Sequence, residues 1–247
     1  RKLDDEGEVL PNSVSILRNG NYLSSDYKRI SLDLFNKYCP KEKDPTLSLN
    51  ERKRSMLEWW NTHLKLMISS GISKRIVEGL VSDYPKFFRD GCDELFGITS
   101  TYNVPFLIFS AGLGDVVDGN LANNGWLEEN VFTLSNFYNF DSFGNVTGYK
   151  GDIIHSLNKD EHLVRHRIYC DKVSERKNVI LLGDSLGDIE MSNGLEHDVV
   201  LKIGYFNGGN GALLEQYKSS YDCVIIGDNA DLSIVVAWSN SWRCTAR

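Results

Sequence analysis

Long hydrophobic runs are missing from this sequence: no stretch approaches the roughly 18 consecutive apolar residues of a membrane-spanning helix. Also missing, up to about position 30, is a basic stretch followed by an apolar one, so no secretory leader is read there, although the chain begins at Arg1 rather than Met. A cytoplasmic protein with no membrane partner is expected. Cysteine is sparse: Cys39, Cys92, Cys170, Cys223 and Cys244 are isolated, odd in number and without a C-x-x-C pair, which favours reduced thiols over disulfides or a zinc site. Proline, with 5 residues, is far below the level of a disordered or collagen-like chain. There is no basic block either, and 27 Lys+Arg against 34 Asp+Glu leave a net charge of −7. General nucleic-acid binding rests on clustered cations, so no nucleic-acid partner is expected and any phosphate must be met locally. What is there, 41% hydrophobic and 25% charged residues over 247 positions, suits a packed globular protein, and a monomer is expected.

Texture changes twice along the chain. Residues 1–22 are polar, with Asp4-Asp5-Glu6-Gly7-Glu8, Pro11 and an Asn19-Gly20 turn signal, and read as an N-terminal loop. Residues 23–100 read as a helical cap. Tyr27, Ile30, Leu34 and Tyr38 recur at helical steps until Cys39-Pro40 ends the run. Ser48 with Glu51 reads as a capping box opening a second helix through Met56, Trp60, Leu64 and Met67. Further helices are expected from Ser73 to Ser82 and from Pro85 towards Gly97. In residues 101–237 short apolar runs recur: Val104–Phe109, Val131–Leu134, Val179–Leu182, Val199–Ile203 and Cys223–Ile226. Each has the length and β-branched or aromatic content of a strand buried on both faces, and their alternation with helical segments implies a doubly wound α/β core. Phe140–Tyr149, with a turn at Asp141–Asn145, reads as a hairpin, and residues 238–247 form an atypical tail.

Ligands of open α/β sheets bind beyond the carboxyl ends of the strands. Two such ends stand out. Ser110-Ala111-Gly112-Leu113-Gly114-Asp115 places a hydroxyl and small residues before a helix, an arrangement that serves an anion or simply a glycine-eased turn. Gly183-Asp184-Ser185-Leu186-Gly187-Asp188 places two carboxylates four residues apart, which suits Mg²⁺ beside a phosphate, or an Asp-capped turn. Between them, Lys159 is either a phosphate-reaching cation or a solvated surface lysine. His162 and His166 lie one helical turn apart, but with no third ligand nearby a solvated helix face is the better reading.

In this order, a strand-end Ser, a downstream Lys and a Gly-Asp-x-x-x-Asp resemble motifs two, three and four of the haloacid dehalogenase superfamily of phosphohydrolases. Ser110-Ala111-Gly112-Leu113-Gly114-Asp115, Gly148-Tyr149-Lys150-Gly151 with His155 and Asn158-Lys159, Leu181-Leu182-Gly183-Asp184-Ser185, and Leu201-Lys202-Ile203-Gly204-Tyr205 together look like the cytosolic 5′-nucleotidase III family. The resemblance spans about Asp26 to Gly227. It implies a Rossmann-like parallel sheet core of the haloacid dehalogenase type with a helical cap. It also implies Mg²⁺-dependent hydrolysis of nucleoside 5′-monophosphates (CMP, UMP, 7-methyl-GMP or several of these) through an aspartyl-phosphate. By the same resemblance Ser110 and the Ala111 backbone hold the phosphate, Lys159 offsets its charge, Asp184 binds Mg²⁺ and Asp188 supports the metal loop. In the cap, Glu42 matches a nucleoside-contacting Glu and Trp60 a base-stacking aromatic, while His63 falls where the family has a substrate-contacting Ser. Read without the resemblance, Trp60 is a core residue and Glu42 a solvated one.

The superfamily's first motif, an apolar strand ending in Asp-x-Asp-x-Thr that carries the nucleophile, has no counterpart here: Leu3–Val9 is acidic but has neither the strand nor the Thr. The motif is expected at or before Arg1, leaving these residues by themselves without turnover. The alternatives are a non-catalytic nucleotide-binding module and a phosphatase of the same superfamily with another substrate.

Overall fold

The computed structural model describes residues 12–83, 88–159, 173, 176–193, 196–227 and 230–241. His162, His166, the acidic segment near Asp4 and the tail beyond residue 241 lie outside them. In chain order the helices are α1 (Ser13–Asn19), α2 (Ser25–Glu42), α3 (Leu49–Ser69), α4 (Lys74–Asp83), α5 (Cys92–Thr101), α6 (Gly114–Asn123), α7 (Gly211–Ser220) and α8 (Ser233–Ser241). The strands are β1 (Phe106–Leu113), β2 (Val131–Asn136), β3 (Tyr138–Phe140), β4 (Val146–Tyr149), β5 (Asn178–Gly183), β6 (Val199–Phe206) and β7 (Cys223–Ile226), with a 3₁₀ segment at Leu186–Ser192. No helix among the described residues is long and apolar enough to cross a membrane. Cys39, Cys92 and Cys223 form no disulfide.

Local chemistry explains the element ends. Ser24 accepts from the Tyr27 amide to open α2. Ser48 and Glu51 make the reciprocal box that opens α3, with the Ser48 amide donating to Glu51 at 2.8 Å and the Glu51 amide to Ser48 Oγ at 3.3 Å. Two expectations change. The segment read as a loop contains α1, which Asn12 caps through the Ser15 amide at 2.8 Å and which Leu17 anchors with no exposed surface. A seven-residue helix carries too little periodicity to be read from sequence; burial of one leucine decides it. And α2 runs through Pro40 to Glu42, because a proline so near the helix end removes only one intrahelical donor before the chain turns away.

The strands form two parallel pieces, β2 beside β1 and β5-β6-β7 in that order, with β3 and β4 as the expected antiparallel hairpin. Among the described residues β1 pairs only with β2, and β5 has only β6 beside it. The pieces are held together by side chains: Phe106 of β1 packs with Ile180 and Leu182 of β5 in a cluster built on Leu95 and Ile98 of α5 and Val235 and Val236 of α8. Thus α5, placed in the cap on sequence, packs against the sheet. Residues 238–241 likewise continue α8. The cap proper joins the sheet through a second cluster in which Leu17, Tyr27 and Met67 meet Leu113, Val116 and Tyr138.

Because Leu17 is the fully buried residue by which α1, with Val14 and Ile16 beside it, reaches that shared cluster, Leu17→Ala is expected to lower stability by about 2–5 kcal/mol. Urea unfolding followed by circular dichroism measures it.

Candidate functional site

Ser110 lies inside β1, three residues before its end, not beyond the strand as its sequence position implied. The ladder with β2 is irregular there: Phe109 pairs with Leu134 and Leu113 with Asn136, so three residues of β1 face one of β2. Such a bulge releases backbone groups from the sheet, and bulges recur beside active sites for that reason. The Ala111 and Gly112 carbonyls are taken by side chains of β2, Asn136 Nδ2 at 3.0 Å and Ser135 Oγ at 3.0 Å, while Ser110 Oγ accepts from the Gly112 amide at 3.0 Å.

Asn136, buried, is the joint between this bulge and the next segment. Its Nδ2 also donates to the Ile154 carbonyl at 2.8 Å and its Oδ1 accepts from the Ile154 amide at 2.8 Å. The loop that follows is tied internally: the His155 amide donates to Asn158 Oδ1 at 2.7 Å, and the Leu157 amide donates to His155 Nδ1 at 3.2 Å. Lys159 leaves this loop as an inward-pointing cation, its Nζ 2.8 Å from Asp188 Oδ1.

Asp188 is buried and fully engaged. Its second oxygen accepts from the Asp184 amide at 3.1 Å and the Ser185 amide at 3.0 Å. Two glycines make this closeness possible. A Cβ on Gly183 would sit 2.5 Å from Tyr221 Oη and 2.7 Å from Asp188 Cβ, and one on Gly187 would sit 2.7 Å from the Ser156 carbonyl. Asp184, by contrast, is exposed, and among the described residues its carboxylate meets only Asn207 Nδ2, at 3.5 Å. Asn207 in turn accepts from Arg89 Nη2 at 2.7 Å, and the Arg89 guanidinium lies 4.4 Å over the Tyr205 ring.

Ser110, Lys159, Asp184 and Asp188 line one cavity of about 390 Å³, together with Arg89. A larger cavity of about 550 Å³ is lined by Trp60, His63, Ser110 and Ala111 among others. Ser110 belongs to both, so the polar cleft and the aromatic chamber adjoin there. Trp60 meets His63 and Tyr149 edge-on, each at 6.4 Å between centroids. His63 is held from behind by Tyr27 Oη, 2.9 Å from its Nε2. Glu42 lines neither cavity; it ends α2, where its carbonyl accepts from Arg52. A bare charge pattern could not reveal Asn136, Asn207 or Arg89, whose roles come from partners distant in sequence.

The donor set suits Mg²⁺ in kind, since that ion is held by one or two carboxylates plus water and substrate oxygens. Asp184 is the carboxylate free for it, Asp188 being committed to Lys159 and two amides. No group of three His, Cys, Asp or Glu side chains able to enclose a metal occurs among the described residues, so the site offers one protein anchor and not a cage.

Comparison with known proteins follows the same lines. The family model described as pyrimidine 5′-nucleotidase (UMPH-1) matches residues 1–238. The 7-methylguanosine phosphate-specific 5′-nucleotidase A of Xenopus laevis is 35% identical over 223 residues, which is 90% of this chain and 77% of that protein. Its namesake in Homo sapiens is 32% identical over 223 residues, covering 90% of this chain and 74% of that protein. The crystal structure of cytosolic 5′-nucleotidase IIIB bound to cytidine matches with a TM-score of 0.85 at 28% identity, covering 98% of this chain and 82% of that chain. A probable phosphoserine phosphatase from Vibrio cholerae, at 14% identity and a TM-score of 0.53 over 90% of this chain and 63% of that one, shares the fold.

Burial holds His63 and His155 down to about 4. Unfolded imidazole titrates near 6.5, so the unfolded chain binds more protons than the folded one between about pH 6.5 and 4, and stability falls as pH drops through that window. Protonating His155 Nδ1 also removes the acceptor for the Leu157 amide. Urea midpoints measured from about pH 7 to pH 4 are expected to decline steadily, and His155→Asn, which keeps an acceptor but does not titrate, is expected to flatten part of that slope. Asn136→Leu, which unties three buried hydrogen bonds between the bulge and the Lys159 loop, is expected to lower stability by about 2–4 kcal/mol in the same assay.

Proposed function

This chain belongs to the pyrimidine 5′-nucleotidase (UMPH-1) family, and we propose that it hydrolyses nucleoside 5′-monophosphates, CMP, UMP or 7-methyl-GMP, to nucleoside and phosphate. The observation that carries this reading is Ser110 lining both cavities: a phosphate in the polar cleft leaves its nucleoside facing the aromatic chamber. The names of the relatives support both a pyrimidine and a methylated purine.

Phosphoryl transfer is mostly positioning and charge stabilisation. In this reading the Ser110 hydroxyl and the Ala111 amide hold phosphate oxygens at the bulge. Lys159, already paired with Asp188, stands where a second anion shares its charge. Asp184, steadied by Asn207, would hold Mg²⁺, which when bound offsets charge on the phosphate oxygens. The attacking carboxylate is assigned to a segment outside the described residues, because among the described residues Asp184 and Asp188 are the two carboxylates lining the cleft and each is accounted for. Attack at phosphorus expels the nucleoside 5′-oxygen, which takes a proton, and water then cleaves the aspartyl-phosphate. Trp60 and His63 face the base. The role proposed for Glu42 requires its side chain to reach a nucleoside from outside the chamber. A cytoplasmic setting belongs to the same proposal, supported by the relatives' description as cytosolic, and a monomeric state is proposed with it.

In a protein that includes the segment carrying the attacking carboxylate, phosphate release from CMP, UMP and 7-methyl-GMP in the presence of Mg²⁺, matched one to one by nucleoside, is the expected result. Asp184→Ala is expected to abolish it, and Lys159→Met to lower kcat by about 10²-fold or more. Release of phosphate undiminished in Asp184→Ala would exclude this arrangement.

A further inference from the structure

Among the described residues, the aromatic chamber has one charged side chain in its lining, Arg18, and no carboxylate. Arg18 sits in the last turn of α1, whose position is set by three attachments. Asn12 caps it, Leu17 is buried under it, and Ser13 Oγ accepts from the Leu113 amide at 3.1 Å at the end of β1. The guanidinium carbon lies 4.5 Å over the Phe35 ring, which itself lines the chamber beside Trp59. Its hydrogen bonds are long: 3.4 Å to Asn19 Oδ1 and 3.5 Å to Ser15 Oγ. No described carboxylate pairs with it, and half-burial holds its pKa below the usual arginine value. His63 adds no charge near neutral pH, since burial keeps it neutral.

Five N–H donors with weak partners, on a desolvated cation, attract a carbonyl oxygen and repel a second cation at short range. Uncharged pyrimidines carry an exocyclic carbonyl on a neutral ring; N7-methylated guanine carries a carbonyl too, but on a ring with a formal positive charge, so the charge is what separates them. We propose that Arg18 is a specificity-determining residue of the chamber, donating to a carbonyl oxygen of an uncharged pyrimidine and excluding the cationic 7-methylguanine ring. This rests on the nucleotidase reading for the placement of the base, and it decides between the substrates which that reading leaves together.

Dissociation constants of UMP and 7-methyl-GMP, read by quenching of tryptophan fluorescence, and phosphate release from each test it together. The wild-type protein is expected to bind UMP at least about tenfold more tightly than 7-methyl-GMP. Arg18→Lys is expected to keep the rejection of 7-methyl-GMP, Arg18→Gln to bring the two constants within about threefold, and Arg18→Glu to reverse their order. Circular dichroism confirms that each variant is folded. Equal or tighter binding of 7-methyl-GMP by the wild type, or a ratio unmoved by Arg18→Glu, overturns the proposal. The two readings fail separately. A ratio that shifts as expected with no phosphate released from either nucleotide, in a protein that includes the segment carrying the attacking carboxylate, removes the hydrolytic reading and keeps the role of Arg18. Equal release from both, unchanged in Arg18→Glu, does the opposite.

Discussion

The carboxylate of Asp188 is the constraint on which the site depends. One oxygen holds Lys159 and the other holds two consecutive amides, so a single buried group fixes a loop that follows β5 and a loop that follows the hairpin. A buried charge pair of this kind contributes little net stability compared with apolar packing, because both ions lose their hydration. What it does is specify geometry, since either ion alone would be left uncompensated. With Asp188 turned inward and saturated, the neighbouring Asp184 is left outward and free. Gly183 and Gly187 follow from the same closeness, because any side chain there would collide with Tyr221, Asp188 or the Ser156 carbonyl.

Asn136 performs the corresponding work on the other side. It binds the carbonyl of Ala111 in the bulge and both backbone groups of Ile154, so the segments carrying Ser110 and Lys159 are cross-tied by neutral hydrogen bonds. The cleft is therefore built from three loops fastened to one another, and its charge is divided. Among the described residues the polar cleft contains both signs, while the chamber beyond Ser110 has Arg18 as its one charged side chain. A phosphoric monoester with an uncharged aromatic substituent is complementary to that division.

Much of this was legible in the residues. The short β-branched runs predicted each strand of the two parallel pieces, the Ser48 and Glu51 box predicted the start of α3, and the Asp141–Asn145 turn predicted the hairpin. Asp184 and Asp188 were legible because they follow a strand whose local pattern is strong, Ser110 because an apolar run gives way to small residues there, and Lys159 through the family resemblance alone; the four share one cavity. Other features left no local trace. The helix α1 is short, the bulge at Ser110 depends on side chains of β2, and α5 looks like its neighbours in the cap until its leucine and isoleucine are seen under the sheet. Glu42 ends α2 and lines neither cavity, which spacing alone does not disclose.

Residue order by itself determined the kind of each element and the composition of the Gly-Asp-Ser-Leu-Gly-Asp loop, because propensity, capping and turn chemistry act over a few neighbouring positions. Only the tertiary structure decided which of the two carboxylates is exposed, which asparagine ties the loops, and which cation lines the aromatic chamber. Those outcomes rest on pairs such as Arg89 with Asn207, 118 positions apart, and Asn136 with Ala111, 25 apart. Hydrogen bonds and desolvation act through space over a few ångströms, and a sequence records distance along the chain.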